Sequence, residues 1–191
     1  MNTFKTLSLA LLPAAMTLGV VATDAAAQAA APLTVQVYNA DGASFHVNAV
    51  LVAGKTDAVL LDTGFTRADA LRIAAMVLDS KKTLKTVYIS QADPDYYFGI
   101  EVIRQYFPDA KVVTTAPTLK KIEATLATKL QVWGPRMGAN APKNLPLPDV
   151  LTGNTITLEG QTLEIRGLDD SQPHRSYVWI PSIKTIAGGV N

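Results

Sequence analysis

The densest chemistry in this chain lies in one stretch, Ser90-Gln91-Ala92-Asp93-Pro94-Asp95-Tyr96-Tyr97. Gln91, Asp93, Asp95 and Tyr96 crowd oxygen donors together, and carboxylates two positions apart repel unless a cation or hydrogen-bond donors lie between them. Hard oxygen ligands of this kind suit Ca²⁺, Mg²⁺ or Mn²⁺ better than zinc. The same residues also make an ordinary solvated turn with Asp95 capping the next helix, because Asp-Pro-Asp is common turn chemistry. The remaining inventory is narrow. No Cys is present and the 2 His are His46 and His174, which removes disulfides, thiolate metal sites and a Cys nucleophile, and limits imidazole-rich zinc sites. His46 opens an alternating run with Asn48 and Val50 on its face and reads as a half-exposed strand residue. A proton-transfer role would need a partner that the sequence does not place. Ser171, Ser176 and Ser182 have no placed base, and no Gly-x-Ser-x-Gly elbow exists. Trp133, Tyr97 and Phe98 read as packing residues.

The elements that must position this turn follow from the punctuation. Residues 33–38 alternate and then break at Asn39-Ala40-Asp41-Gly42. Residues 46–53 and 58–61 are β-rich and split by Gly54-Lys55-Thr56-Asp57, which predicts a hairpin. Thr66 and Asp69 form a capping-box pattern ahead of Leu71, Ala74, Ala75 and Leu78 at helical spacing. A buried-type strand, TVYIS, covers residues 86–90 and leads into the Asp turn. Ile100, Ile103 and Phe107 mark a helix stopped by Pro108, residues 111–115 a strand, and Leu119, Ile122, Leu126 and Leu130 a third helix. From Gly134 to Pro148 the prolines and glycines predict a long loop. Residues 155–158 and 162–165 read as a hairpin, followed by β-rich residues 177–180 and 183–186. Strand and helix alternate, so the expectation is an α/β (α+β) layered domain.

Lys5 precedes an apolar stretch over residues 7–21, and Ala25-Ala26-Ala27 and Ala27-Gln28-Ala29 fit small-x-small cleavage. The expectation is a signal peptide at 1–27, a domain at 32–191, and a secreted, periplasmic product with no membrane association after cleavage. With 17 Lys+Arg against 16 Asp+Glu there is no basic stripe, so nucleic acid is not an expected partner. The 48% hydrophobic content argues against disorder.

Three segments together resemble the metallo-β-lactamase superfamily: AVLLDTG at 58–64, VYISQADPDYYFG at 87–99, and Pro148-Asp149-Val150 with the hairpin after it. The resemblance implies the N-terminal half of an αββα sandwich with metals at the sheet edge, held by an H-x-H-x-D-H loop. On that pattern the His positions fall on Gln91, Asp93 and Tyr96, and Asp95 keeps the family's Asp. The next ligand, a His, falls nearest Ser171, with His174 as a substitute. The resemblance thus makes Gln91, Asp93, Asp95, Tyr96 and His174 the candidate metal set, Asp95 the catalytic candidate, and Asp62 a structural brace for the loop. Read on its own, Asp62 is equally a turn residue. Zn, Mn, Mg or Ca are the candidate cations, with zinc disfavoured because an amide, a carboxylate and a phenol replace imidazoles. The family's C-terminal ligands are not in this sequence. A chain truncated there is expected to leave 177–180 uncovered and 183–186 as an unpaired edge, to be covered by a partner chain. Two functions remain: an exported hydrolase with a His-poor metal site acting on an unidentified small molecule, or a non-catalytic binding or interaction protein on the same fold.

Overall fold

The computed structural model describes Met1, residues 31–168 and residues 171–189. The expected signal peptide lies outside the described residues. Two β-sheets face each other, and helices cover one outer face. The first sheet has six strands in the order β1 (Thr34–Asn39), β2 (Asn48–Ala53), β3 (Asp57–Leu61), β4 (Thr83–Ile89), β5 (Lys111–Thr114) and β6 (Asp149–Val150). β1, β2 and β3 form an antiparallel meander, and β3 to β6 run parallel. Parallel neighbours need crossovers, and α1 (Arg67–Asp79), α2 (Pro94–Tyr97), α3 (Ile100–Tyr106) and α4 (Ala116–Met137) lie in them. The second sheet is antiparallel and holds β7 (Thr155–Leu158), β8 (Gln161–Arg166), β9 (Tyr177–Ile180) and β10 (Thr185–Ala187), with β10 and β7 at its edges.

The strands of the first sheet read as unbroken apolar runs because both of their faces are buried. Ala49, Leu51, Ala58 and Leu60 pack with Ile73, Val77, Ile103 and Ile122 of the helices. Their neighbours Val50, Val52, Val59 and Leu61 point the other way, onto Ile156, Leu163, Ile165, Val178 and Ile180 of the second sheet. The period of two thus sorts one sequence into two cores. α1 begins with the predicted capping box, Thr66 and Asp69 each accepting from the other's backbone N–H.

Several expectations are corrected. Residues 134–137 belong to α4, not to a loop, although Pro135 lies inside it. Leu126, Leu130, Trp133 and Met137 continue an apolar stripe onto the helical core, and that packing overrides the local breaker. His46 is not in a strand. It has φ 55 and Phe45 has φ 59, so the chain turns through two left-handed residues before β2. Residues 177–180 are not uncovered: Val178 and Ile180 are fully buried between the sheets. In the 183–186 run, Pro181–Ile183 forms a 3-10 turn and the strand is Thr185–Ala187, an edge strand with Ile186 exposed.

Candidate functional site

β3 and β4 are parallel, so their carboxyl ends open on one edge, where open α/β sheets expose loops to ligands. β3 ends into Asp62 and β4 into Ser90 and the Asp turn. Asp62 is completely buried with φ 65. Its Oδ1 accepts from the Ser90 N–H at 2.8 Å, and the Ser90 hydroxyl lies 2.9 and 2.8 Å from its two oxygens. Burial pushes the Asp62 carboxyl up to about 7, and the Ser90 hydrogen bonds hold it lower than burial alone would. Ser90 O in turn accepts from the Ser176 N–H at 3.0 Å and from the Ser176 hydroxyl at 2.8 Å. That hydroxyl's proton is thereby committed, so Tyr88 donates to Ser176 Oγ, at 2.7 Å. This buried chain of hydroxyls joins both sheets under the site.

Gly189 closes the floor. A Cβ there would stand 2.1 Å from Ser176 O and 2.7 Å from Ser90 Oγ, and its φ is +52, so no side chain fits. Gly99 is equally constrained, since a Cβ would meet Thr63 O at 1.9 Å where the turn after β3 crosses the start of α3.

The Asp turn itself is a short helix, with Asp93 at the N-cap position and Asp95 in its first turn. Asp95 is therefore not the cap, and the Asp93 side chain makes no cap bond either. Asp93 turns outward to two cations instead. Arg175 Nη2 lies 3.2 Å from Oδ2, and Lys129 Nζ, from α4, lies 3.6 Å from Oδ1. Lys129 also donates to Ala92 O. Burial lowers the Lys129 ammonium's pKa in spite of Asp93. Gln91 is buried, and its amide N–H donates to Gly189 O at 2.6 Å. Asp95 is partly buried, and burial pushes its carboxyl up to about 6, with Asp93 adding to the rise. Burial and the nearby carboxylates push the Tyr96 phenol up to about 12.

Two hollows meet here. One, of about 420 Å³, lies between the β1–β2 face and β10 and is lined by Val35, Val37, Phe45, His46 and Ile186. The other, of about 450 Å³, is lined by Phe45, Gln91, Asp93, Lys129, Trp133 and Arg175. Asp95, Tyr96 and Phe45 border both. Of the candidate residues, the structure brings Gln91, Asp93, Asp95 and Tyr96 to this edge above Asp62. It does not bring His174, whose ring lines a separate hollow with Ala116, Pro117, Lys120 and Lys121 at the start of α4. Sequence reasoning missed Lys129, Arg175 and Phe45. Lys129 does fall one turn from Leu126 and Trp133 on the α4 stripe, which is the signal that would have placed it near the core.

A metal is what the fold resemblance implies, and these residues do not fit one. The Asp93 carboxylate is already neutralised by an ammonium and a guanidinium, and the Gln91 amide is turned to a backbone carbonyl. Among the described residues no three His, Asp or Glu side chains converge. Also among them, no helix is long and apolar enough to cross a membrane.

No family model matches this sequence, and no curated protein matches it. Solved structures do match by shape. The chain is similar to the BLEG-1 B3 metallo-beta-lactamase (TM-score 0.62, 15% identity, covering 80% of this chain and 70% of that one). It is similar to a metallo-beta-lactamase from Pontibacter korlensis (TM-score 0.58, 19% identity, 83% and 67%). It is also similar to FEZ-1 from Legionella gormanii (TM-score 0.56, 18% identity, 79% and 55%). The chain has the metallo-beta-lactamase fold over 55–70% of the length of these structures.

Proposed function

We propose that this chain, which carries the metallo-beta-lactamase fold, is an exported, metal-independent binding protein for a small molecule, without hydrolytic activity of its own. One observation carries the reading: Lys129 and Arg175 both stand on Asp93, in the loop where the fold's relatives are expected to hold their cation. A divalent ion entering beside them would face two fixed positive charges at close range, a repulsion that two or three weak oxygen ligands do not offset. Without a Lewis acid there is no water of lowered pKa to attack an ester, amide or lactam. The hydrolase reading keeps one supporting observation, the Asp95 carboxylate, which among the described residues accepts no side-chain hydrogen bond and borders both hollows.

Elemental analysis of the purified chain, with zinc and manganese titrations, decides between the two. The expected outcome is no stoichiometric metal, no heat of binding at micromolar ion, and no lactam or ester turnover that a chelator abolishes. One metal per chain together with chelator-sensitive turnover would sink the binding reading. Export is tested separately: N-terminal sequencing of periplasmic material is expected to begin after residue 27.

A further inference from the structure

We propose that Lys129 is a covalent site for an aromatic aldehyde or ketone, which it takes up as an imine in the hollow between the Asp loop and α4. This rests on the binding reading above and names the ligand class and the point of attachment in the same site.

The hollow of about 450 Å³ is walled by four separate parts of the chain: Phe45 in the turn before β2, the Asp loop from Gln91 to Tyr96, Lys129 and Trp133 on α4, and Arg175. That volume is within the usual size for a small-molecule site. Leu126, Leu130, Trp133 and Met137 pack α4 onto the helical core, so Lys129 is carried on a fixed stretch of helix. Its side chain is 17% exposed. Nζ donates to Ala92 O, lies 3.6 Å from Asp93 Oδ1 and stands 5.8 Å from the centre of the Tyr97 ring. An ammonium has three donors. Ala92 O and Asp93 take two, and the third is left to the hollow that the side chain lines.

The surroundings make this amine a nucleophile. Arg175 stands on the same carboxylate, at 3.2 Å, so two cations share Asp93. A guanidinium keeps its proton and an ammonium can release one, so the repulsion between them is relieved at Lys129. Burial lowers the Lys129 pKa most strongly; Asp93 and Asp95 oppose it, and Lys121, earlier on α4, adds to it. The Tyr96 and Tyr97 phenols are also close, and burial raises the pKa of both, so they stay neutral. A lysine desolvated beside a second cation is the arrangement in which an amine adds to a carbonyl group.

The step needs neither oxidant nor reductant. Asp95 borders the same hollow, and burial pushes its carboxyl up to about 6, so it can take a proton from the ammonium and return it. Nζ forms a bond to the carbonyl carbon, and the carbonyl oxygen receives the proton back from Asp95. The oxygen then leaves as water with a second proton from the nitrogen, and a protonated C=N bond remains. That product keeps one positive charge for Asp93. The walls specify the body of the ligand. Phe45 is 53% exposed, and its ring meets Trp133 edge-on at 5.5 Å between centroids, which gives aromatic surface for an aryl group to cover. A carboxylate on the ligand would meet Asp93 and Asp95, so the body is uncharged.

The test treats the intact chain with benzaldehyde and cyanoborohydride at pH 7.5, which reduces an imine to a stable benzylamine, and locates the label by peptide mass mapping. Lys129 is expected to be labelled at least about tenfold faster than the exposed Lys85 and Lys111. With propanal, which lacks the ring, that preference is expected to shrink. Lys129→Arg keeps a cation on Asp93 and is expected to abolish the fast label with the circular dichroism spectrum unchanged. Arg175→Gln removes the second cation and is expected to move the pH profile of Lys129 labelling upward, which a merely structural role would not do. Labelling of Lys129 no faster than that of Lys85 and Lys111, an undiminished preference with propanal, or an unmoved pH profile in Arg175→Gln overturns the inference. A zinc titration on the same samples separates the two failures: zinc uptake removes the metal-independent reading, whereas no zinc uptake and no preference for Lys129 removes this inference alone.

Discussion

The two ends of β3 handle carboxylates in opposite ways. At its start, Glu159, from the β7–β8 turn, accepts from the backbone N–H groups of Lys55, Thr56 and Asp57 and from the Thr56 hydroxyl, at 2.6 to 2.8 Å. With four donors and open solvent, its pKa falls to about 2. At its other end, five residues on and roughly 16 Å away, Asp62 has donors from Ser90 and from the Gly189 backbone N–H but no solvent, and its pKa rises to about 7. Asp95 beside it has still fewer donors and sits at about 6. What separates the ends is the number of donors set against the loss of water, not the residue type. The Glu159 end is finished: it joins the two sheets and has no unmet demand. The aspartate end keeps two carboxylates whose burial is not fully offset by donors among the described residues.

The comparison breaks most visibly at Asp62. Asp62→Ala leaves the buried Ser90 N–H and hydroxyl without an acceptor and puts alanine at a left-handed φ, so a loss of about 3 kcal/mol is expected in urea unfolding. A loss under about 1 kcal/mol would mean that Ser90 finds another acceptor and that Asp62 does not brace the loop.

The second expected effect is on pH dependence. Asp62 and Asp95 have folded-state pKa values of about 7 and about 6, above the ordinary 3.8. Their ionisation works against the fold, so the stability they allow is full below about pH 4 and declines as pH rises through 6 and 7. Glu159, at about 2 against 4.5, acts with the opposite sign: its stabilisation is full above about pH 4.5 and is lost as pH falls toward 2. Melting temperature against pH should therefore peak between about 4 and 5, the neutral limb belonging to the aspartate end and the acid limb to Glu159 together with Asp69, whose carboxyl, against the pull of burial, the Ser44, Thr66 and Tyr38 hydrogen bonds also hold low. Asp95→Asn is expected to raise the melting temperature at pH 7.5 by about 3 °C and to flatten the neutral limb. An unchanged neutral limb would place the titration elsewhere.

The smallest effect is expected at Glu159. Glu159→Gln should flatten the acid limb and change stability at pH 7 less than Asp95→Asn does, because the freed N–H groups of this exposed turn are taken up by water. Thermal melts at pH 3 and pH 7 give both values. A larger loss than that of Asp62→Ala would reverse the comparison.

The fold was legible where sequence and structure share a local cause. The Thr66–Asp69 box, the apolar runs of β2 and β3, and the strand leading into the Asp turn all follow from neighbours a few residues apart. The site was legible only in part, because its partners come from afar. Asp93 meets Lys129 and Arg175 across 36 and 82 positions, and Glu159 meets Thr56 across 103. No spacing rule reaches that distance. His174 shows the converse. It is an imidazole close in sequence to a ligand position, yet its neighbour Arg175 is the residue that reaches the site, where it pairs with Gln91 across an isolated bridge and meets Asp93. The length of α4 was missed because Pro135 removes one N–H, a local penalty outweighed by the burial of Trp133 and Met137.

The strand order of the first sheet has a consequence for how the molecule assembles as it is synthesised. Its six strands stand side by side in the order in which they leave the ribosome, so each new strand or crossover docks on an edge that already exists. The contacts that join the sheets arrive late by comparison. Ser176 must find Ser90 across 86 positions and Glu159 must find Thr56 across 103. Loop closure over such separations is slow, so the second sheet closes after the first is laid down. The pairing of β7 to β10 against the first sheet is therefore a later step than the pairing of β1 to β5, and substitutions at Ser176 or Glu159 are expected to slow that step more than the earlier one.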